Sequence, residues 1–144
     1  MDKLLLWTQI ARMLDHTVVN LLNKESLQLE IANAASRYHR EQQGKSPGRI
    51  NVSVSGNLVV ILSNEVYTPT EEHLSGTEEG RQLIKSARRE LRSLTRDRAH
   101  DEIARVCGCP VLRSYWDLDN RVGEQLEAYV LAEDVEKRMG FAAS

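Results

Sequence analysis

The chain has 144 residues, 41% hydrophobic and 28% charged, with a formal net charge of −2. That length fits one domain able to bury roughly two-thirds of its unfolded surface without a disulfide or a metal. The composition excludes a disordered or fibrous chain, and the slightly acidic balance excludes nucleic-acid binding driven by overall charge.

Leu4, Trp7, Ala11, Leu14, Val18 and Leu21 recur at alternating spacings of three and four. This predicts a helix over residues 3–23 carrying a packed seam, which we assign to a dimer interface. The opening run Leu4-Leu5-Leu6-Trp7 stops at Thr8-Gln9, short of the about 7–15 apolar residues of a secretory core. No apolar run approaches the ~20 residues that cross a membrane, so the cytoplasm is the expected compartment. Asn23-Lys24-Glu25-Ser26 reads as a break, with Ser26 capping a second helix to Gln43 and Gly44 ending it.

Alternation of Ile50, Val52 and Val54 with polar residues predicts a half-buried strand. Gly56-Asn57 is a hairpin signal, and Leu58 to Leu62 is a returning strand expected to be buried on both faces. Thr68-Pro69-Thr70-Glu71 is a capping box with Pro at the first helical position. It opens a short helical turn to Leu74, broken at Gly76. Thr77 caps a long helix to about Val106, its apolar side read as Leu83, Ile84, Ala87, Leu91, Leu94, Ala99 and Ile103. Gly108 and Pro110 stop it. Strands follow at Val111–Leu118 and Glu124–Leu131, then a last helical turn within Glu133–Met139.

The order predicts an α+β fold. A four-stranded antiparallel sheet of two β-hairpins and a long central helix form it, with helices packed on one face and an extra N-terminal helix. We expect a single domain over 1–144, with 1–25 as helical extension, 26–132 as core and 133–144 as a short tail.

Several pieces in order resemble the MpsC family (the DUF2294 domain) over about residues 26–132. They are Gly44-Lys45-Ser46-Pro47, Gly56-Asn57, Tyr67-Thr68-Pro69-Thr70-Glu71 and Thr77-Glu78-Glu79-Gly80-Arg81. Arg88-Arg89-Glu90-Leu91, Cys107-Gly108-Cys109-Pro110-Val111 and Gly123-Glu124 complete the set. The resemblance implies a small cytosolic protein tied to a sodium- or bicarbonate-linked, membrane-potential-generating transport system in bacteria. It brings no catalytic residues with it. The chain departs from the family in its Gly-Lys-Ser-Pro loop, where a Gly-Arg-Gly-Pro-like one is usual, and in the helix over 3–23.

Arg81, Lys85, Arg88, Arg89, Arg92 and Arg96 place basic groups every three or four residues along the long helix. Guanidinium forks suit carboxylates, so these six are the expected partner-binding residues, set against the plainer reading of a solvated helix face. Lys45 and Arg49 form a weaker candidate anion site beside a turn. Cys107 and Cys109 are one residue apart. This excludes a disulfide framework and is the wrong spacing for a zinc knuckle even with His100 nearby. No metal, cofactor or catalytic residue is expected, because no nucleophile or glycine motif of a known catalytic class occurs.

The expected function is a non-catalytic protein-binding adaptor or assembly factor acting as a homodimer. Its partner would be an acidic or extended protein segment, and by the resemblance it would serve inorganic-carbon or ion-transport machinery. Neither membrane insertion nor nucleic-acid binding is expected. Two other readings stay open. One is an assembly chaperone holding a peptide tail of a carboxysome shell or other complex subunit. The other is a regulator responsive to a small anion or nucleotide.

Overall fold

The computed structural model describes residues 2–13 and 16–140, with side chains described at 2–6, 8, 10 and 23–140. Two helices open the chain, α1 (Lys3–Met13) and α2 (His16–Gln43). α2 runs unbroken through Asn23–Ser26, where the sequence predicted a break and a cap. That stretch holds neither Gly nor Pro, and each of its residues costs at most about 0.7 kcal/mol in a helix. Burial of Leu27, Ile31 and Ala34 just beyond offsets that cost.

The first hairpin joins β1 (Arg49–Ser55) to β2 (Leu58–Asn64) through Gly56-Asn57, with Ser55 opposite Leu58. α3 (Pro69–Leu74) starts on the expected capping box: Thr68 Oγ1 accepts from the Glu71 amide at 3.2 Å and Glu71 Oε1 accepts from the Thr68 amide at 2.9 Å. α4 (Glu78–Cys107) is capped by Thr77 and ends on left-handed Gly108. At 30 residues it is about 45 Å long. β3 (Val111–Asp119) and β4 (Glu124–Leu131) form the second hairpin, followed by α5 (Val135–Arg138). β4 pairs antiparallel with β2, so the sheet order is β1-β2-β4-β3 and the fold is α+β.

α2 and α4 pack on one face of this sheet. Leu27 and Ile31 from α2, Ala99 and Ile103 from α4, and Val59 and Ile61 from β2 belong to one buried cluster. A second cluster joins Val66, Tyr67, Ile84 and Leu118 at the α3 end. β2 alternates instead of being buried on both sides: Val59, Ile61 and Ser63 are enclosed, whereas Leu58 is exposed and Val60 and Leu62 are half-buried. Both helices lie on one side only, which leaves the second face of the strand uncovered among the described residues. The cysteines are free and buried, and burial pushes the Cys107 thiol up to about 11.

The inner face of α4 also differs from the sequence reading. Gly80, Ile84, Arg88, Ala99, Ile103 and Cys107 are buried, while Leu83 and Leu94 are 62% and 74% exposed. The true contact stripe therefore runs through two arginine positions, 88 and 92. It starts at Gly80, where a Cβ would stand 1.7 Å from the Leu74 carbonyl oxygen. Gly80→Ala is accordingly expected to lower stability by about 1–3 kcal/mol. Gly76→Ala, whose Cβ meets only the His73 oxygen at 3.6 Å, should be close to neutral. Urea denaturation of both variants checks this.

Candidate functional site

Arg88 enters the interior from α4 with only 4% of its side chain exposed. Its Nε and Nη2 donate to Glu71 Oε2 and Oε1 at 2.7 and 2.6 Å, a bidentate pair. Nη2 also donates to the Val66 carbonyl at 2.7 Å, and Nη1 lies 3.2 Å from His39 Nε2. An arginine cannot accept, so His39 Nε2 is the acceptor and Nδ1 carries the proton, donating to the Lys45 carbonyl at 2.5 Å. The capping-box acid thus closes a chain running from α3 through α4 to α2.

Burial holds His39 below its ordinary 6.5, and Arg88 beside it pushes the same way against the Lys45 carbonyl, Glu127 and Glu71. Burial alone would raise the Glu71 carboxyl. Hydrogen bonds from Arg88 and from Thr68 outweigh it and hold the group below the usual carboxylate range.

One turn further along α4, Arg92 builds a second cluster. Nη1 donates to Glu127 Oε1 at 2.5 Å, and Nη2 to the Tyr129 hydroxyl at 2.9 Å and to Ser114 Oγ at 3.4 Å. The guanidinium lies 5.3 Å from the Tyr129 ring centroid. The Tyr129 hydroxyl donates to Glu127 Oε1 at 2.7 Å. Burial, followed by Glu127, drives the Tyr129 phenol well above its ordinary value, so it stays a donor. His100 Nε2 lies 2.6 Å from Ser114 Oγ, and burial, then Arg92 and Arg96, lower that imidazole.

The two clusters flank a cleft between α2, α4 and the sheet. It holds about 690 Å³ counted out to its mouth, room for an inserted side chain. Ala34, Ala35 and Ala99 open the space by being small; Trp116, Ser63 and Gln125 line it from the sheet. Both hydrogen bonds to Glu127 fall on Oε1, leaving Oε2 without a donor. Among the described residues no sealed side-chain N or O lacks a partner, so this open oxygen is one the cleft reaches.

The six expected partner-binding residues lie along one side of α4 but do not form one free basic surface. Arg88 and Arg92 are internal. Lys85 reaches Asp117 at 3.2 Å, and Arg81 donates to the Ser75 carbonyl at 3.1 Å. Only Arg89 and Arg96 stand exposed. Lys45 is directed at the Tyr67 and Glu65 carbonyls, at 2.9 and 3.3 Å, while Arg49 is exposed at the start of β1.

Of the expected dimer seam, Leu4 is 74% exposed. Leu14 and the side chains of Trp7, Ala11, Val18 and Leu21 lie outside the described residues.

His39, Glu127, Tyr129 and Trp116 were missed by sequence reasoning. A signal existed for Glu127: it occupies the same strand parity as buried Tyr129 and Leu131, where a carboxylate calls for a partner.

Among the described residues no helix is long and apolar enough to cross a membrane. The family profile described as Na+-translocating membrane potential-generating system (MpsC) matches residues 23–133. A relative in Bacillus subtilis (strain 168), the uncharacterized protein YbcI, is 25% identical over 117 residues, covering 81% of this chain and 94% of that protein. No solved structure matches.

Removing one side of a buried ion pair strands the other, so Arg88→Ala should cost about 3–5 kcal/mol, and Arg88→Lys, which loses the fork, should recover only part of it. Equilibrium denaturation measures both.

The lowered histidines set a pH dependence. The unfolded chain protonates them near 6.5 while the folded chain resists, so stability should fall as pH drops below that value. It should fall further as acid reaches the lowered Glu71. His39→Gln, which can still donate to Lys45 and accept from Arg88, should flatten the first part of the decline in denaturation midpoints measured from pH 7 to 5.

Proposed function

The chain belongs to the MpsC family, and from that membership and the geometry of the cleft we propose that it is a non-catalytic binding protein. In this reading it serves a Na+-linked membrane-potential system from the cytoplasmic side and acts as a homodimer. The cleft between α2 and α4 receives a short segment of a partner protein anchored by one side chain.

The observation that carries the reading is the division of labour among the polar groups. Arg88, Arg92, His39 and the Glu127 Oε1 atom are spent on one another. Ser63, Gln125, the Trp116 indole N–H and Glu127 Oε2 make no side-chain hydrogen bond among the described residues, yet line the cleft. A space with apolar walls and a few unsatisfied polar groups is a recognition site. Its carboxylate oxygen selects a hydrogen-bond donor on the inserted group.

A small-anion regulator gains less support. Each inward guanidinium already faces a carboxylate, and Lys45 faces two carbonyls. The homodimer is supported by apolar surface left uncovered in the single chain: Leu4, Leu5, Leu6 and Ile10 of α1 are all more than 40% exposed. Apolar surface of this kind is buried by association.

Filling the cleft tests the reading. Ala35→Leu should leave the melting temperature near wild type but lower recovery of the Na+-translocating membrane components with the tagged protein by about tenfold, or about 1.4 kcal/mol of binding. Arg96→Glu, on the exposed side of α4, should change recovery far less. Equal recovery with Ala35→Leu and wild type would sink the cleft reading. Light scattering should return twice the 16.3 kDa chain mass.

A further inference from the structure

The face of the sheet turned away from α2 and α4 is apolar along its middle. Leu58, Val60 and Leu62 of β2 stand beside Val130, Ala128 and Leu126 of β4 in register. Leu58 and Leu126 are 37% and 43% exposed, and Tyr115 on β3 is 60% exposed beside Ala128. Both long helices pack on the opposite face, so among the described residues nothing of this chain covers these side chains.

The edges of the face are polar and unlike each other. On β1 the outward residues run Arg49, Asn51, Ser53, Ser55; on β3 they run, from the same end of the sheet, Asp119, Asp117, Tyr115, Arg113. We propose that a second copy of this chain covers the outer face of the sheet, about a two-fold axis parallel to β2 and β4. Such an axis sets β1 of each copy over β3 of the other and keeps like ends together. Arg49 then meets Asp119, Ser53 meets the Tyr115 ring and Ser55 meets Arg113, while the Asp117 carboxylate is held by Lys85 round the edge of β3. The six aliphatic side chains of the middle strands meet their own kind.

The other in-plane two-fold, perpendicular to the strands, would also pair charges, Arg113 with Asp119, but would set Asn64 against Leu58 and Glu124 against Val130. The middle strands therefore select the first axis, which keeps aliphatic groups on aliphatic groups. It makes an aligned sheet-on-sheet sandwich with an isologous interface.

Area favours this face over α1. Four strands of about seven residues cover about 19 Å by about 23 Å, so two copies remove on the order of 1,000 Å² from water, the lower bound for a specific interface. An 11-residue α1 is only about 16 Å long and offers less.

The inference rests on the homodimer reading, and the experiment separates the two. Sedimentation equilibrium on the full chain gives the dimer dissociation constant. Leu126→Arg, at an already exposed site, should raise it about a hundredfold. Arg49→Asp and Asp119→Arg should each raise it about tenfold or more, and the double exchange should bring it back toward wild type. Because Arg49 and Asp119 are exposed, this exchange stays informative even if Leu126→Arg disturbs folding, which circular dichroism reports.

A dimer indifferent to all these changes but broken by Leu4→Asp with Leu6→Asp would overturn the sheet-face inference and leave the homodimer standing. A wild-type chain that is monomeric at every concentration would overturn both.

Discussion

The Arg88–Glu71 pair is the contact on which the arrangement of this molecule turns. A buried ion pair is a poor source of net stability, since apolar residues of similar volume commonly do as well. What such residues could not do is hold backbone. Arg88 fastens the Val66 carbonyl, the capping acid of α3 and, through His39, the Lys45 carbonyl just past α2. Three segments that no sheet ladder or shared helix joins are thereby set at fixed distances from α4. The cleft lies where α2 and α4 are held apart by that framework. Its width is thus decided by polar geometry, with the small residues Ala34, Ala35 and Ala99 keeping the floor between the helices open.

The residues legible in the sequence were those whose partners lie within a few positions. Thr68 and Glu71, Thr77 and Gly80, and the Gly56-Asn57 turn act across three residues or fewer, and each does in the structure what its local chemistry dictates. The inner face of α4 was not legible for the opposite reason. Leu83, Ala87 and Leu94 satisfy a helical period as well as Ile84, Ala99 and Ile103 do. Hydropathy favours a face with leucine over one with Arg88 and Arg92. The deciding partners stand 17 and 35 residues away, in Glu71 and Glu127. Nothing in periodicity says that the acid closing a capping box also holds an arginine one helix later. The basic stripe therefore seemed continuous, although two of its members point inward and only Arg89 and Arg96 stand free at the surface.

The same limit governed α2. Asn23, Lys24, Glu25 and Ser26 are each neutral or mildly unfavourable to a helix, and Ser26 is a good cap in isolation. A helix continues through such residues when the apolar positions beyond them must reach the sheet. Leu27 and Ile31 do so here. Local preference sets where a helix ends only when tertiary packing has no stake in the outcome, and here it had one.

The inner face of the sheet is mainly apolar, through Val54, Val59, Ile61, Tyr129 and Leu131, but the middle strands depart locally from the usual division of apolar inside and polar outside. Towards the helices, the middle strands present Ser63 beside Gln125 and Ile61 beside Glu127. On the opposite side of the same residue pairs stand Leu62 beside Leu126 and Val60 beside Ala128. Water would hydrate a polar open face better than an apolar one, and inner polar groups need polar partners. Arg92 and Tyr129 supply them for Glu127 on one oxygen. The second oxygen, with Ser63 and Gln125, lines the cleft, while Leu58 and Leu126 stand exposed on the outer face, so β2 and β4 are the wall between the two candidate surfaces.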